Sequence, residues 1–249
     1  MRLLIFSITL ITFCFISLTA TAQDELEYRS ETSVDLNNTL VLGMSPTSSS
    51  HMQNVTRGID GSPYFYDEWT TGIALLPKNL KTIGVQMKFS TFNNRVYFKK
   101  EDKTLALDNR RVEGFVLNID DGWVLFKNGY RYDSDKIGRD TFLRVVHDGT
   151  TKILVHHRTY TRKSHKPAIA TGRISHEFRH SDDYFLQTED GKIHEVKNKQ
   201  KHILRKLNKK HHNQIKDYTK SNDLDFGKDK DLKKIMSYYD TLISKETGN

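Results

Sequence analysis

The sharpest catalytic pattern in the chain is His176-Glu177-Phe178-Arg179-His180, which fits the H-E-x-x-H arrangement of zinc metalloproteases. That chemistry requires a helix, because residues i and i+4 on one helical face aim two imidazoles at one metal ion while the glutamate polarises its water. The flanking residues instead predict a β-hairpin. In an extended strand the two imidazoles stand roughly 13 Å apart, too far for one ion. A metal site with His176 and His180 as ligands and Glu177 as the base is therefore kept only as an alternative.

The remaining histidines and carboxylates form no recognisable catalytic set. His156 and His157 are neighbours on a predicted strand, so their side chains point to opposite faces of the sheet. Asp120-Asp121 and Asp182-Asp183 fall at predicted turns, where aspartate side chains cap the backbone. A glycosidase pair of acids depends on spatial separation, which the sequence leaves open. We assign no catalytic residue, no cofactor and no metal, and the sequence favours a protein that is not an enzyme.

The segment from Lys197 to Lys220 contains nine basic residues and one acidic residue, Asp217, whereas the rest of the predicted mature chain is close to neutral. Such a run predicts either a surface for a polyanion, such as an acidic polymer or anionic lipid headgroups, or a solvated helix face whose lysine stems cover apolar surface. Export argues against nucleic acid, and so does the single aromatic residue of the segment, Tyr218. The candidate polyanion-binding residues are Lys199, Lys201, Arg205, Lys206, Lys209 and Lys210.

A second candidate surface is the aromatic run in Gly61-Ser62-Pro63-Tyr64-Phe65-Tyr66-Asp67-Glu68-Trp69. Aromatic rings with polar ends are common in ligand sites, and Tyr64, Tyr66 and Trp69 are the candidate contacts. The same residues are equally suited to docking into the core, because a proline-led aromatic run before a first strand covers a sheet well. The sequence favours docking into the core, and a ligand surface is kept as the alternative.

Two regions of different periodicity must position these groups. Residues 59–197 alternate short segments rich in Val, Ile, Phe, Tyr and Thr with turn sequences such as Asn128-Gly129 and Asp148-Gly149, which is typical of successive antiparallel hairpins. About twelve strands with no long helix between them predict a mainly β domain, either an antiparallel β-sandwich or a partly closed barrel. The predicted strands are 73–76, 84–91, 95–99, 104–107, 112–119, 123–126, 130–132, 141–147, 152–158, 173–178, 184–187 and 192–196.

Residues 198–247 change to a helical period. Apolar residues beginning at Ile203 recur at helical spacing with basic residues between them, and a second such pattern starts at Leu232. The polar sequence Ser221-Asn222-Asp223 separates the two patterns. They predict a basic amphipathic helical hairpin whose apolar side packs on the β domain or on a partner.

The first 22 residues have the order of a secretory signal peptide. Arg2 precedes an apolar run from Leu3 to Leu18, and Ala20-Thr21-Ala22 forms the cleavage site. The run is short for a membrane span, which needs about 20 apolar residues. We therefore expect a mature chain that begins at Gln23, has no transmembrane segment and is periplasmic or secreted.

Two further features concern the start of the mature chain. Cys14, the single cysteine, is removed with the signal, which excludes disulfides and thiol catalysis from the mature protein. Residues 23–58 are rich in Ser, Thr and Asn and predict a flexible lead-in before the β domain. The fold must therefore be stabilised by its own apolar core.

The export signal is followed in order by Gly61-Ser62-Pro63-Tyr64, by hairpins that pass Leu105-Ala106-Leu107-Asp108, and by a Lys-rich helix pair that reaches Ser237-Tyr238-Tyr239. In this order and texture, the chain resembles a family of uncharacterised exported proteins of Gram-negative bacteria over nearly its whole mature length. The resemblance implies compartment and architecture, and it implies no activity and no catalytic residue. The H-E-x-x-H pattern is not part of it.

The sequence thus predicts an exported, non-catalytic, envelope-associated protein that acts as a binding or structural module. Its partner is expected to be an envelope component or an anionic polymer. One alternative is a metal-dependent hydrolase centred on His176, Glu177 and His180. The other is polyanion or membrane-surface binding through the basic helix 197–220.

Overall fold

The computed structural model describes residues 33–34, 56–101, 103–120, 122–132, 136–167 and 174–247. The predicted signal peptide (1–22) and most of the predicted lead-in (23–58) lie outside the described residues. Within them the chain is mainly β with helices at its C-terminal end, which confirms the predicted fold class.

The order of elements follows the predicted hairpins and then the predicted helices. The described strands are β1 (Ser33–Val34), β2 (Ile59–Asp60), β3 (Thr70–Leu76), β4 (Leu80–Thr82), β5 (Val85–Ser90), β6 (Arg95–Lys100), β7 (Lys103–Ala106), β8 (Gly114–Ile119), β9 (Gly122–Lys127), β10 (Leu143–Asp148), β11 (Lys152–Pro167), β12 (Ile174–Gln187) and β13 (Ile193–Val196). The described helices are α1 (Gln200–Leu204), α2 (His212–Ser221) and α3 (Asp229–Thr247), with 3₁₀ turns at Pro77–Asn79 and Lys209–His211.

All the described strands belong to one mixed sheet. Its main path runs in the order β13-β12-β11-β10-β9-β8-β3-β5-β6-β7, and neighbours on this path are antiparallel. Short parallel pairs join β1 to β4 and β2 to β12. The two end strands, β13 and β7, do not pair with each other, so the sheet formed by the described residues is not closed.

Aromatic residues fill the core beneath strands β3 to β9. The central phenylalanines, each at most 2% exposed, are Phe89, Phe115, Phe126 and Phe142. The rings of Phe115 and Phe126 stack with their centroids 4.7 Å apart. The strand expected at 130–132 is not formed, because Tyr132 turns inward and packs edge-on against Phe185 with ring centroids 5.1 Å apart.

Strands β11 and β12 form one long antiparallel hairpin. The turn predicted at Asp182-Asp183 is wrong, since both residues lie in the middle of β12. Each aspartate meets a basic partner from β11: the Asp182 carboxylate bonds His157 Nδ1 at 2.6 Å, and Asp183 accepts from Arg158 Nε at 2.8 Å. On its other edge, β12 pairs with β13 at Tyr184–Gln187 and with β2 at His176–Glu177.

The predicted helix pair is present, but its first helix is interrupted. Helix α1 ends at Leu204, and Asn208 then caps a 3₁₀ turn by accepting a hydrogen bond from the Lys210 N–H at 3.1 Å before α2 begins. The apolar sides of the helices form a second core with Ile153 and Leu186 of the sheet. None of the described helices combines the length and the apolarity that a membrane crossing requires.

Candidate functional site

The H-E-x-x-H segment lies in β12 in extended conformation, as predicted. Strand alternation puts His176 and His180 on one face and Glu177 on the other. The Glu177 carboxylate accepts hydrogen bonds from Arg179 Nε at 2.9 Å and from Arg179 Nη2 at 2.6 Å. Within the part of the chain that the structure describes, no three His, Asp or Glu side chains are placed to hold a metal ion. The strand therefore separates the two imidazoles and commits the carboxylate to an ion pair.

A cleft of about 380 Å³ opens between the segment 62–68 and β12, and we call it the aromatic cleft. Its lining residues are Ser62, Tyr64, Phe65, Tyr66, Asp67, Glu68 and His180. Two stretches that the sequence offered as separate candidates, the aromatic run and the H-E-x-x-H segment, thus meet in one place. His180 is the residue of the second stretch that lines the cleft.

The aromatic wall is fixed to the sheet by backbone hydrogen bonds. The Phe65 N–H donates to the Phe89 carbonyl at 2.9 Å, and the Phe92 N–H donates to the Pro63 carbonyl at 3.2 Å. The Phe65 ring packs edge-on against Phe126 with centroids 5.0 Å apart. The run is therefore docked into the core through Phe65, and its other residues form one wall of the cleft.

The side chains of this wall satisfy one another's donors. The Ser62 hydroxyl donates to Asp67 Oδ1 and accepts from the Tyr64 N–H at 3.2 Å. The Tyr66 hydroxyl donates to Asp120 Oδ1 at 2.9 Å. That hydrogen bond to a carboxylate stabilises the neutral phenol and raises the pKa of Tyr66. Asp120, which was expected only to cap a turn, holds a ring of the cleft.

Trp69, the third predicted aromatic contact, does not line the cleft. It packs in a separate cluster with Tyr64 and the buried Tyr97. Two lysines cover this cluster: Lys88 Nζ lies 4.2 Å above the ring of Tyr64, and Lys99 Nζ lies 5.0 Å above that of Trp69. The rings of this region therefore already bind ammonium groups through cation–π contacts.

The opposite wall presents His180, whose ring is held by a pair of threonines. Thr159 Oγ1 lies 2.6 Å from Thr91 Oγ1 and 2.9 Å from His180 Nδ1. These hydrogen bonds orient the ring through Nδ1, and Nε2 of His180 has no hydrogen-bond partner among the described residues.

The C-terminal helices carry the second candidate site, the basic face, which we define as the exposed cations Lys199, Lys201, Arg205, Lys209, Lys216 and Lys220. None of the six makes an ion pair with a described carboxylate. The other two predicted contacts differ: Lys206 is half-buried, and Lys210 Nζ lies 2.6 Å from Glu246 Oε1. Desolvation and the neighbouring cations, Arg205 first among them, lower the pKa of His202, which indicates a positive local potential.

Two adjoining hollows cross the basic face, with volumes of about 440 and 470 Å³. Both are lined by Gln200, Thr219 and Leu224, so they form one continuous groove. Lys199 lines the first hollow, and Lys216 and Lys220 line the second. The carboxylates at this groove are Asp223 and Asp225, and Asp225 Oδ1 is engaged by the Gly227 N–H at 2.8 Å.

A polar network between the sheet and α3 was not predicted. Arg144 Nε donates to His157 Nε2 at 2.8 Å, and His157 Nδ1 therefore carries the proton that is donated to Asp182. Arg144 also pairs with Asp229 at 2.5 Å, and Asp229 accepts from the Tyr184 hydroxyl at 3.0 Å. Because both ring nitrogens of His157 are used, it is not available as a general base. The basic residues of β11 facing the acidic residues of β12 were the sequence signal for these contacts.

A Ser-His-Asp arrangement also joins α3 to the sheet. His147 Nε2 lies 2.8 Å from Asp240 Oδ2, and Ser237 Oγ lies 3.5 Å from His147 Nδ1. Asp240 Oδ1 accepts from the Thr151 N–H at 3.1 Å and from the Thr151 hydroxyl at 2.7 Å. Ser237 lies inside a helix whose N–H groups serve the helical ladder, so they cannot stabilise an oxyanion. We therefore interpret this arrangement as a fastening, which we call the helix clasp.

His156 lies on the sheet face opposite to His157, as the alternation predicts. It is 8% exposed, and its Nδ1 has no hydrogen-bond partner among the described residues. Burial lowers the pKa of His156 to about 4, with Arg158 adding to the shift and Asp183 opposing it. His156 is therefore a neutral histidine of the interior.

Comparisons of the chain with protein-family models, curated proteins and solved structures found no match. The aromatic cleft and the basic face are therefore the two surfaces from which we infer function.

Proposed function

We propose that the chain is an exported, non-catalytic binding protein of the bacterial cell envelope, and that it holds a linear acidic polymer on the basic face. One observation carries the proposal: the helices bury their apolar residues in the core and expose cations that form no ion pair. Ile203 and Ile215 are fully buried, while Lys199, Lys209 and Lys216 are exposed.

The pairing of charges elsewhere supports this assignment. Basic residues on the sheet commonly meet acidic partners, as Lys127 meets Asp148 at 2.8 Å and Arg158 meets Asp183. On the basic face the described residues supply no such partners. An unpaired cation run raises the local concentration of anions and speeds their association.

The shape of the face favours a polymer over a membrane. A helix that inserts into a lipid surface presents large apolar residues outward. Among the described residues the large hydrophobic side chains that are exposed are Ile83 and Tyr160, and neither lies in the helices. The groove past Lys199, Lys216 and Lys220 instead gives a flexible anionic chain a track to follow.

A non-catalytic role is supported by how the histidines are used. Both nitrogens of His157 are bonded, and His147 belongs to the helix clasp. The hydroxyl that His180 contacts is that of Thr159, which is buried and shared with Thr91. Stoichiometric zinc in tag-free protein after mild purification, together with a hydrolytic rate that depends on Glu177, would contradict this part of the proposal.

The test measures binding of the processed, tag-free protein to a heparin oligosaccharide over a range of salt concentrations. We expect strong salt dependence, because exposed charges are screened over about 10 Å at 0.1 M salt. Replacing the groove residues Lys199, Lys216 and Lys220 with glutamine should lower the slope of log Kd against log salt by about three, one for each contact removed.

The matched control replaces three exposed lysines outside the helical region, Lys78, Lys103 and Lys163, with glutamine, which changes the net charge equally. This control should bind as the unmodified protein does. Equal losses in the two triple variants would mean that net charge alone attracts the polymer, and the proposal would fail. Binding to anionic vesicles but not to heparin would replace the polymer with a membrane surface.

A further inference from the structure

The aromatic cleft differs from the basic face in the sign of the ligand it can accept. We infer that the aromatic cleft binds an organic cation with N–H donors, an ammonium or a guanidinium group. This site and ligand class are separate from the polymer binding proposed above.

Most of the polar groups that the cleft offers to a ligand are hydrogen-bond acceptors. The Ser62 hydroxyl proton goes to Asp67 and the Tyr66 hydroxyl proton goes to Asp120, which leaves the Tyr64 hydroxyl as the donor among these three. The acceptors are the second oxygen of Asp67 and the carboxylate of Glu68, both of which carry negative charge. A ligand that brings N–H donors therefore fits the cleft.

Charge selects among ligands that carry donors. Asp67 and Glu68 are adjacent and exposed, and the Glu68 carboxylate makes no hydrogen bond or ion pair within the described residues. Lys88 compensates one of these two charges, because its ammonium interacts electrostatically with both carboxylates and donates to the Asp67 backbone carbonyl. The remaining negative charge favours a cation over a neutral polyol, and it repels the acidic polymer assigned to the basic face.

The rings favour an organic cation over a metal ion. Tyr64 already has an ammonium 4.2 Å from its ring centroid, that of Lys88, so the chain itself demonstrates the contact that an external cation would make with the neighbouring rings. The volume of about 380 Å³ falls in the range of ligand pockets, roughly 300 to 1,000 Å³. It exceeds what a single ammonium fills, so the cation must be attached to a longer body.

Two sources could supply this group: a free polyamine, or a lysine or arginine side chain of a basic protein. The probes are therefore spermidine and a short arginine-containing peptide with blocked ends, each titrated into the full processed protein by calorimetry. Sorbitol serves as the neutral polyol. Two-dimensional NMR of the amide groups reports whether the signals of 62–68 and His180 move.

We expect saturable binding of at least one cationic probe, with shifts confined to the cleft. Glu68→Gln should weaken it about tenfold, the loss expected for one charge-assisted hydrogen bond. Glu113→Gln is the matched control, since Glu113 is exposed on the same domain outside the cleft and its carboxylate makes no hydrogen bond or ion pair with a described residue. It should leave the affinity unchanged.

The two probes separate the sources, because a free polyamine predicts spermidine binding and a docked side chain predicts binding of the peptide alone. The inference is overturned if neither probe saturates the protein up to about 10 mM. It is also overturned if the two glutamate variants lose the same affinity, or if sorbitol moves the same signals. Loss of heparin binding would leave this result untouched, because the heparin experiment concerns a different surface.

Discussion

The aromatic cleft and the basic face differ in what the fold leaves for a ligand. In the cleft, the hydroxyl protons of Ser62 and Tyr66 are donated to neighbouring carboxylates, so the polar groups left for a ligand are mainly the carboxylates of Asp67 and Glu68. On the basic face, the apolar residues are consumed by the core, so lysines and arginines remain. The comparison shows that the groups available to a ligand are the side chains that the fold does not use for its own contacts. These groups are negatively charged in the cleft and positively charged on the basic face.

The largest effect is expected from a substitution that weakens the contact between the helices and the sheet. A Cβ atom added at Gly149 would lie 2.0 Å from Asp240 Oδ2 and 2.8 Å from His147 Nε2, so Gly149→Ala displaces the helix clasp. We expect a loss of about 4 kcal/mol in the free energy of unfolding, from overpacking and from breaking a buried pair. Urea unfolding followed by circular dichroism measures it.

A double-mutant cycle is the control for this prediction. Asp240→Ala removes the carboxylate that the new methyl group would strike, so the losses from Gly149→Ala and Asp240→Ala should not add. Additive losses would show that Gly149 acts elsewhere. In the Gly149→Ala variant, heparin binding should be lost at a lower urea concentration than spermidine binding. The reason is that the helix clasp fixes the helices to the sheet and includes no residue of the aromatic cleft.

The second prediction concerns His156, the buried neighbour of His157 in β11. The native pKa of His156, about 4, lies below its ordinary value of 6.5, so the unfolded chain binds a proton between these values that the native chain does not. Stability is therefore full above pH 6.5 and decreases as the pH falls toward 4, by about 3 kcal/mol from this residue.

Urea unfolding of the wild type and of His156→Gln across this pH range isolates the effect, because other titrating groups are common to both proteins. The difference between their free energies of unfolding should shrink as the pH falls. Parallel curves would contradict a neutral buried histidine. The Lys136 and Arg158 charges near His156 are unchanged in the variant.

The smallest effect concerns the cleft alone. Thr159→Val keeps the shape but removes the hydroxyl that links Thr91 to His180, and we expect a loss of about 1 kcal/mol in stability. The His180 ring then loses the hydrogen bond that orients it at the cleft, so spermidine affinity should decrease a few-fold while heparin binding stays constant. Unchanged spermidine affinity would mean that His180 does not contribute to the cleft.

Local pattern predicted the hairpin series, the change to helices after Val196 and the extended backbone of the H-E-x-x-H segment. It failed where distant residues decide. The Asp182-Asp183 turn does not form because His157 and Arg158 of β11 face these aspartates across the hairpin. The first helix breaks because Asn208 caps a turn of its own.

The candidate site was predictable in parts but not as a whole. The aromatic run and the basic segment are visible as composition, and the structure places Tyr64 and Tyr66 at the lining of the cleft. Their meeting with His180 depends on contacts such as Thr91 with Thr159, which are far apart in sequence. Trp69 differs in turning to the sheet cluster, where Tyr97 and Lys99 receive it.

The long arm of β12 has one more consequence, for how copies of this protein avoid sticking together. Between the short β2 and β13 pairings, residues 178–183 have no further described strand along their outer edge. Such an open margin invites another chain to add on, and charged side chains are a common deterrent. Arg179, Asp182 and Asp183 lie on this strand edge. Replacing them with apolar residues would allow the edge to pair with another copy and would promote aggregation.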